Sequence, residues 1–331
     1  MKRLIRRLAR ILVLSGTKTA ALLLAVSIAA FVLISVSPID PVQQYILGLG
    51  TAISPEQRTE IEEYWGANLP PAQRYINWLS NLLQGNLGES SLYRRPVADI
   101  IRERFSNSLA LMLCAWTLSG VTGFFLGCVM GMHRDTWLDK LLKSICCILS
   151  SVPAFWLGLV MLLVFSVELK WFPVGFSGPI GAASRDVTIW QKLYHLILPA
   201  VTLSFTSFAN IALHTRQKLT DVLNSEYVLF ARARGEGNRT ILWRHGLRNT
   251  VLPALTLQFA SFSELLGGSV MAENVFSYPG LGSAAAAAGL NSDVPLLLGV
   301  TLFSALFVCT GNTIANLLYG LIDPQIQEAV Q

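Results

Sequence analysis

Long apolar stretches recur along the whole chain and are separated by shorter polar segments. The longest lie near 17–37, 108–131, 144–169, 196–215, 251–272 and 295–320. A helix needs about 20 apolar residues to cross the hydrocarbon core of a bilayer. The pattern therefore predicts an all-α polytopic membrane protein with six transmembrane helices.

The segments between these stretches predict the domain organisation. Residues 1–37 join a short basic segment to the first transmembrane helix, and 108–331 form a core with the other five helices. In 38–107, Tyr75 and Trp78 recur at helical spacing, and both residue types favour the membrane–water boundary. We expect this segment to be an amphipathic cap on the outer surface and not an independent domain.

The distribution of charge sets the expected orientation. Between Arg216 and Arg248 there are seven Lys/Arg and three Asp/Glu, and residues 1–10 hold five more Lys/Arg. Short segments rich in Lys and Arg stay on the cytoplasmic side of the membrane. Both termini and the loop 216–250 are therefore predicted to be cytoplasmic.

Composition and motifs narrow the class of protein. Only 14% of residues are charged, against roughly 25% in soluble domains. All five cysteines fall in apolar stretches without a C-x-x-C spacing, which argues against a disulfide framework or a zinc site. The sequence has no nucleic-acid motif, Walker A loop, H-E-x-x-H or G-x-S-x-G. We expect a transport or scaffold protein in contact with lipid, not an enzyme and not a partner of nucleic acid.

Some residues inside the apolar stretches suggest either close packing between helices or a path for a transported solute. Gly123, Gly127 and Gly131 repeat at four-residue spacing, which lets backbones approach closely at either a static or a moving, pore-lining interface. Glu264 lies in the middle of its stretch, where a carboxylate is costly. It lines a cation or ligand path, or makes a hydrogen-bonded contact between helices. Pro153 predicts a kink.

The segment 225–253 predicts two short amphipathic helices. Asn224 or Ser225 can cap the first, Gly235 suits the left-handed position after it, and Asn238 can cap the second. The apolar side of the first helix comprises Tyr227, Val228, Phe230 and Ala231. From these residues alone the helix fits a groove on a cytoplasmic partner or an anionic lipid surface equally well.

The sequence resembles the membrane permeases of ABC importers, in particular the dipeptide, oligopeptide and nickel branch. The segment EYVLFARARG…LWRHGLRNTVLP is similar to the cytoplasmic EAA coupling loop of that family, whose glycine and final proline match Gly235 and Pro253. The other similar segments are PPAQRYINWLSNLLQGNLGES, RRPVADII, SVPAFWLG, LILPAVTLS, ENVFSYPGLG and the terminal DPQI. The departures are Leu229 and Phe230 in place of the Glu-Ala that names the loop, Asn86 in place of Asp, and Gln325 in place of Arg.

The resemblance implies partners and a location. Such permeases pair with a second homologous permease in the bacterial inner membrane. Two cytoplasmic ATP-binding subunits dock on the EAA loops and bind ATP and Mg, so this chain is expected to bind no cofactor. An extracytoplasmic solute-binding protein delivers the solute, and transport proceeds by alternating access. The residues expected to couple this chain to the ATPase are Tyr227, Ala231, Arg232, Arg234, Gly235 and Arg239.

The expected substrate also follows from the resemblance. The segment SELLGGSVMAENVFSYPGLG is more similar to nickel and metal-chelate permeases than to dipeptide permeases, through Glu264, Gly267 and Gly268. The main expectation is import of nickel or a metal–chelate complex along a path that includes these three residues, with no metal ligand firmly assigned. Dipeptide or oligopeptide import is the alternative. A standalone channel and an intramembrane enzyme are two further classes, and neither would need partner ATPases.

Overall fold

The computed structural model describes residues 2–36, 43, 46, 54–64, 69–179 and 187–322. This part of the chain is helical, and its one β feature is an isolated bridge between Glu89 and Pro96. The helices are α1 Lys2–Val36, α2 Pro55–Tyr64, α3 Pro71–Leu83, α4 Val97–Met132, α5 Trp137–Ser151, α6 Ala154–Met161, α7 Ile189–Leu223, α8 Glu226–Ala233, α9 Asn238–Ile241, α10 Arg248–Ala260, α11 Phe262–Val275, α12 Leu281–Leu290 and α13 Val294–Ile322. Two π-helical turns, Leu162–Glu168 and Leu242–Leu247, follow α6 and α9.

Three of these helices, α1, α4 and α13, are long and apolar enough to cross a membrane without interruption. Two further candidates are bent. The pair Trp137–Ser151 and Ala154–Glu168 turns by 108°, and α7 bends by 47° between Phe205 and Ser207. The described residues therefore contain three to five candidate spans, whereas the sequence predicts six. The predicted kink at Pro153 is confirmed, since this residue immediately precedes α6 and cannot donate a helical hydrogen bond.

The predicted fifth span, 251–272, is divided between α10 and α11 at Ser261. The carbonyl of Gln258 lies beside this break. It accepts hydrogen bonds from Ser261 Oγ at 2.9 Å and from Trp116 Nε1 at 2.8 Å. Side-chain donors at a backbone carbonyl compete with the regular helical hydrogen bond. The described residues therefore contain the predicted fifth span as two consecutive helices and do not confirm it as one unbroken helix.

Other predicted features fall outside the described residues. They include part of the outer segment 38–107 and the terminal motif at 323–326. Within the segment that is expected to form the outer cap, the described residues form α2 and α3, and the cap itself stays a prediction.

The first of two compact units comprises Met1–Asn107 and Pro279–Thr313. Its core is formed by buried residues of α4, α12 and α13. A buried carboxylate, Asp293, precedes α13 and accepts hydrogen bonds from Ser90 Oγ and from the Leu92 N–H. This carboxylate fixes the start of α13 to the segment that leads into α4.

The second unit comprises Ser108–Tyr278 and Ile314–Gln331. Within it the glycine repeat of α4 lies directly against α7. A Cβ atom added at Gly123 would lie 2.8 Å from Phe208 O, and one at Gly127 would lie 2.6 Å from Ala212 O. At Gly131 the added Cβ would lie 2.9 Å from a methyl group of Leu219. The backbones of α4 and α7 can adopt this separation only because all three positions lack a side chain.

Replacing Gly127 by alanine is expected to destabilise this contact. The new methyl group meets the backbone of α7 and cannot be accommodated by a rotamer change, so overpacking should cost about 1–3 kcal/mol. The matched control is Gly267→Ala in α11, where an added Cβ has nothing within 4 Å. The apparent melting temperature of the detergent-purified protein should fall for Gly127→Ala and stay unchanged for Gly267→Ala. Equal melting temperatures would contradict the close packing.

Candidate functional site

The short helix α8 has a small buried face. Val228 and Ala231 are buried with Ile241 of α9, and Leu223 packs against this cluster. Three buried apolar side chains in a loop region hold α8 and α9 together as one hairpin. Ala231, which is expected from the resemblance to couple to a partner, lies inside this hairpin at 4% exposure.

The opposite face of α8 is apolar but exposed. Tyr227, Leu229 and Phe230 are 47%, 67% and 65% exposed. The sequence pattern predicts one apolar side that includes Tyr227, Val228, Phe230 and Ala231. In the structure that side is divided, because Val228 and Ala231 pack inward while Tyr227 and Phe230 remain on the surface. Leu229, one of the two departures from the EAA pattern, joins the exposed set.

A glycine in the left-handed region ends α8. Gly235 has φ +86°, its N–H donates to Arg232 O at 2.9 Å, and the N–H of Glu236 donates to Ala231 O at 3.1 Å. These two bonds form a Schellman motif, which satisfies carbonyl groups at the end of the helix. The space around Gly235 is open, so glycine is favoured here by φ alone.

Two predicted capping residues, Ser225 and Asn238, do not cap their helices through their side chains. Ser225 precedes α8, but its hydroxyl donates to Val222 O and makes no cap. Asn238 is the first residue of α9 and Gly237 precedes it, so the predicted cap at Asn238 is wrong. The hairpin between the two short helices is therefore fixed by its buried apolar residues and by Gly235.

Three arginines surround the hairpin. Arg232, Arg234 and Arg239 are all exposed. Arg232 lies in the last turn of α8, where a positive charge interacts favourably with the helix dipole. The described hairpin is thus an apolar surface with a cationic border.

A histidine ties the hairpin to the π-helical turn after it. His245 Nε2 lies 3.0 Å from Glu236 Oε2, and its ring centre is 6.1 Å from that of Tyr227. Asn249 donates to His245 O at 2.8 Å and lies 3.4 Å from the Tyr227 hydroxyl. These contacts orient Tyr227 beside the exposed apolar face.

A buried ion pair holds the end of α7 that leads into this hairpin. Arg216 donates from Nε and Nη2 to the two carboxylate oxygens of Asp139, both at 2.6 Å. The Asp139 side chain is 2% exposed and that of Arg216 is 13% exposed. The Asp135 N–H also donates to Asp139 at 2.9 Å. Paired, parallel hydrogen bonds of this kind are the strongest form of an arginine–carboxylate contact.

The pair shifts the pKa of both groups, which lie outside the spans that the sequence predicts at 144–169 and 196–215. The hydrogen bonds from Arg216 hold the pKa of Asp139 below its ordinary value, and those to Asp139 raise the pKa of Arg216. Sequence reasoning treats Arg216 as one cation of a basic loop and does not detect this pair. Asp139, in the first turn of α5 after the cap Thr136, gives no signal in the sequence that identifies its partner.

The residues predicted to lie on a translocation path occupy α11. Glu264 is in the first turn of this helix and is exposed. A carboxylate at a helix amino terminus interacts favourably with the helix dipole, so the break at Ser261 supplies a favourable place for it. Gly267 is exposed, whereas a Cβ at Gly268 would lie 2.8 Å from Leu203. Of the two glycines, only Gly268 contacts another helix.

A second carboxylate of α11, which sequence reasoning missed, is completely buried. Glu273 accepts a hydrogen bond from Ser108 Oγ at 2.6 Å, and its carbonyl accepts the N–H of Tyr278 at 2.8 Å. Burial raises the pKa of Tyr278. Glu273 begins the segment ENVFSYPGLG, which stands out in the sequence only as a point of resemblance. Its observed role is to fix the turn after α11.

No group of three His, Cys, Asp or Glu residues in the described part of the chain is arranged to hold a metal ion.

These features define a class of protein: a polytopic helical membrane protein with closely packed spans and a short amphipathic hairpin bordered by arginines. The sequence profile of the family described as "binding-protein-dependent transport system inner membrane component" matches residues 123–328. The chain belongs to this family, whose members are membrane permease subunits of ABC transporters and are not themselves enzymes.

Relatives match over nearly the full length of the chain. It is 34% identical to the oligopeptide transport system permease protein AppB of Bacillus subtilis, over 92% of this chain and 95% of that protein. It is 34% identical to the glutathione transport system permease protein GsiC of Escherichia coli, over 92% and 94%. It is 33% identical to a putative peptide transport system permease protein of Brucella abortus, over 92% and 95%.

A solved structure shares the fold. The crystal structure of an amino acid ABC transporter with histidines contains a chain that aligns with a TM-score of 0.50 at 14% identity, over 67% of this chain and 93% of that chain. The expectation of an ABC importer permease in the inner membrane, working with ATPase and binding-protein partners, is confirmed at the level of the family. These three relatives are named for peptides and glutathione, so the nickel branch is not supported.

Removing the carboxylate of the buried ion pair is expected to destabilise the protein. Asp139→Asn leaves the charged and partly buried Arg216 without its carboxylate partner, which should cost about 1–3 kcal/mol at neutral pH. The control is Asp221→Asn on the exposed side of α7, where the carboxylate accepts a hydrogen bond from Gln217, and a change within about 0.5 kcal/mol is expected. Thermal unfolding of the purified protein measures both.

The pH dependence of the same variants gives a second test. Because the folded pKa of Asp139 is lowered, its contribution is complete above the ordinary value of 3.8 and is lost as the pH falls through the folded pKa. The stability difference between wild type and Asp139→Asn should therefore shrink in acid. A difference that stays constant would show that the carboxylate charge is not the cause.

Proposed function

We propose that this chain is a membrane-spanning subunit of an importer for peptides. The observation that supports this most directly is its similarity, along 92% of its length, to permeases named for oligopeptides, peptides and glutathione. Peptide import is the alternative predicted from the sequence. The nickel expectation depends on Glu264, Gly267 and Gly268, and two features weaken it. Glu264 stands alone in the first turn of α11, and the described residues offer no cluster of metal ligands.

The proposed assembly contains a second homologous permease, two cytoplasmic ATP-binding subunits and one extracytoplasmic solute-binding protein. In it this chain contributes six spans, with α10 and α11 together forming the fifth. The termini and the loop 216–250 face the cytoplasm, and 38–107 faces outward as a cap. The domain limits at 1–37, 38–107 and 108–331 belong to the same proposal.

The ATPase is proposed to bind the exposed face of α8. Tyr227, Leu229 and Phe230 provide an apolar surface that can be buried in a groove, and large apolar side chains of this kind dominate the energy of protein interfaces. Arg232, Arg234 and Arg239 then form its polar border. Ala231 contributes by packing against α9, and Gly235 by ending the helix.

Movement of α8 is proposed to reach the spans through α7. The Asp139–Arg216 pair joins the inner end of α7 to α5, and the glycine contacts join α7 to α4. A displacement of the hairpin therefore moves three helices together and can alternate access to a central path. Glu264 and Gly267, exposed on α11, are proposed to line that path.

Introducing a charge on the exposed face of α8 is expected to weaken binding of the ATPase. Phe230→Asp should cost at least about 2 kcal/mol, or roughly 30-fold in affinity, because a carboxylate cannot enter an apolar groove unpaired. Phe230→Leu, which keeps an apolar side chain, is the matched control. Co-purification of the ATPase subunits with the permease measures the effect. Equal recovery with both variants would place the docking surface elsewhere.

Peptide import is tested by uptake in proteoliposomes. The chain is reconstituted with the sister permease, ATPases and binding protein encoded beside it, and uptake of a labelled peptide is followed with ATP. Unlabelled peptide should compete, and Ni²⁺ or a nickel chelate should not. An ATPase subunit unable to hydrolyse ATP provides the control and should abolish uptake. Accumulation of nickel without accumulation of peptide would overturn the proposed substrate class.

A further inference from the structure

Helix α3 has three distinct faces. One face carries Tyr75 and Trp78, and a polar face carries Asn77, with Gln84 directly after the end of the helix. The third carries the large apolar residues Ile76, Leu79 and Leu83, of which Ile76 is 61% exposed and Leu83 is 80% exposed. Residues seven apart lie on the same side of a helix. The exposed apolar residues therefore form one stripe, separate from the polar stripe.

The aromatic face attaches α3 to the first span. The hydroxyl of Tyr75 lies 2.8 Å from that of Ser27, which is 3% exposed. The ring of Phe31 in α1 lies 5.3 Å from Tyr75 and 6.4 Å from Trp78 between centroids. These contacts fix both the position of α3 along α1 and its rotation about its own axis.

The attachment point sets the depth of α3 in the membrane. The apolar span of α1 is Ser15–Leu33, so Ser27 lies six residues before its end. At about 1.5 Å per residue this is roughly 9 Å inside the span. The Tyr75 side chain reaches this depth, so the backbone of α3 lies close to the end of the span and not beyond the bilayer surface. In-plane amphipathic helices bury their apolar faces about 5–10 Å into the same boundary region.

We propose that α3 is a membrane-embedded amphipathic helix whose Ile76–Leu79–Leu83 face contacts the acyl chains of the leaflet in which α1 ends. Lipid is the occupant that fits because the surface of α1 beside α3 is itself exposed and apolar, with Ile28 and Val32 about half exposed. Exposed apolar side chains are therefore present on both α3 and α1. The composition of α3 agrees, since Pro71–Leu83 has no acidic residue that anionic headgroups would repel. This proposal needs α1 to span the membrane and does not depend on the transported substrate.

The test measures the environment of each face in the assembled transporter in phosphatidylcholine–phosphatidylglycerol nanodiscs. Single cysteines replace Ile76 and Leu83, and a matched pair replaces Asn77 and Gln84 on the polar face with the same seven-residue spacing. The native cysteines are removed, and each new cysteine carries a nitroxide label. Leu33→Cys, at the end of the apolar span of α1, provides the reference for the depth at which α3 is proposed to lie.

The ratio of oxygen to water-soluble nickel-complex accessibility should be several-fold higher at 76 and 83 than at 77 and 84, and close to that at 33. Equal access of the nickel complex at all four positions would overturn the proposal, because α3 would then be in water. Exclusion of both reagents at 76 and 83 would also overturn it, because protein, such as a second permease or a binding protein, would then cover the face.

A second measurement uses the wild-type protein and therefore does not require removal of the native cysteines. A phosphatidylcholine with a photoactivatable acyl chain is incorporated, illuminated, and its adducts are located by mass spectrometry. Adducts on Ile76, Leu79 or Leu83 are expected together with adducts on α1. Adducts on α1 with none on α3 would contradict the proposal.

Discussion

The close contact of α4 with α7 is the constraint on which the second unit depends. Lipid gives apolar helices no hydrophobic reason to associate, so their packing must come from surfaces that fit at short range. The three glycines of α4 provide such a surface along residues 208–219 of α7, where an added Cβ would come within 2.6 Å of a backbone carbonyl. The position of α7 is therefore set by backbone contact, which leaves less freedom than contact between flexible side chains.

The rigidity of α7 matters because α8 lies directly after it in the chain. The inner end of α7 is held a second time by the Asp139–Arg216 pair, and α8 begins at Glu226, only ten residues after Arg216. Replacing a buried ion pair by apolar residues is often neutral for stability. The main effect of this pair is to orient α7, because two parallel hydrogen bonds fix both the direction and the distance of the contact with α5. In the proposed coupling, a force applied at α8 therefore acts on α7, which is held in two places.

The sequence predicts the helical class, most spans and the left-handed glycine, because these follow from local composition and from φ preferences. It does not predict the break at Ser261, beside which Trp116, 142 positions away in the chain, donates to the carbonyl of Gln258. It misses the Asp139–Arg216 pair for the same reason, since the two residues are 77 positions apart. Contacts between distant residues leave no periodic signal, and the buried Glu273 is a third example.

The two departures from the EAA pattern agree with the geometry of α8. Helix α8 has only eight residues, and two of them, Val228 and Ala231, pack against α9. The remaining face must provide the contact energy for a partner. Leu229 and Phe230 occupy that face, so the positions where Glu-Ala is usual carry apolar area instead. If the ATPase docks on α8 as proposed, it needs an apolar groove, and the exposed arginines favour acidic groups at the rim of that groove.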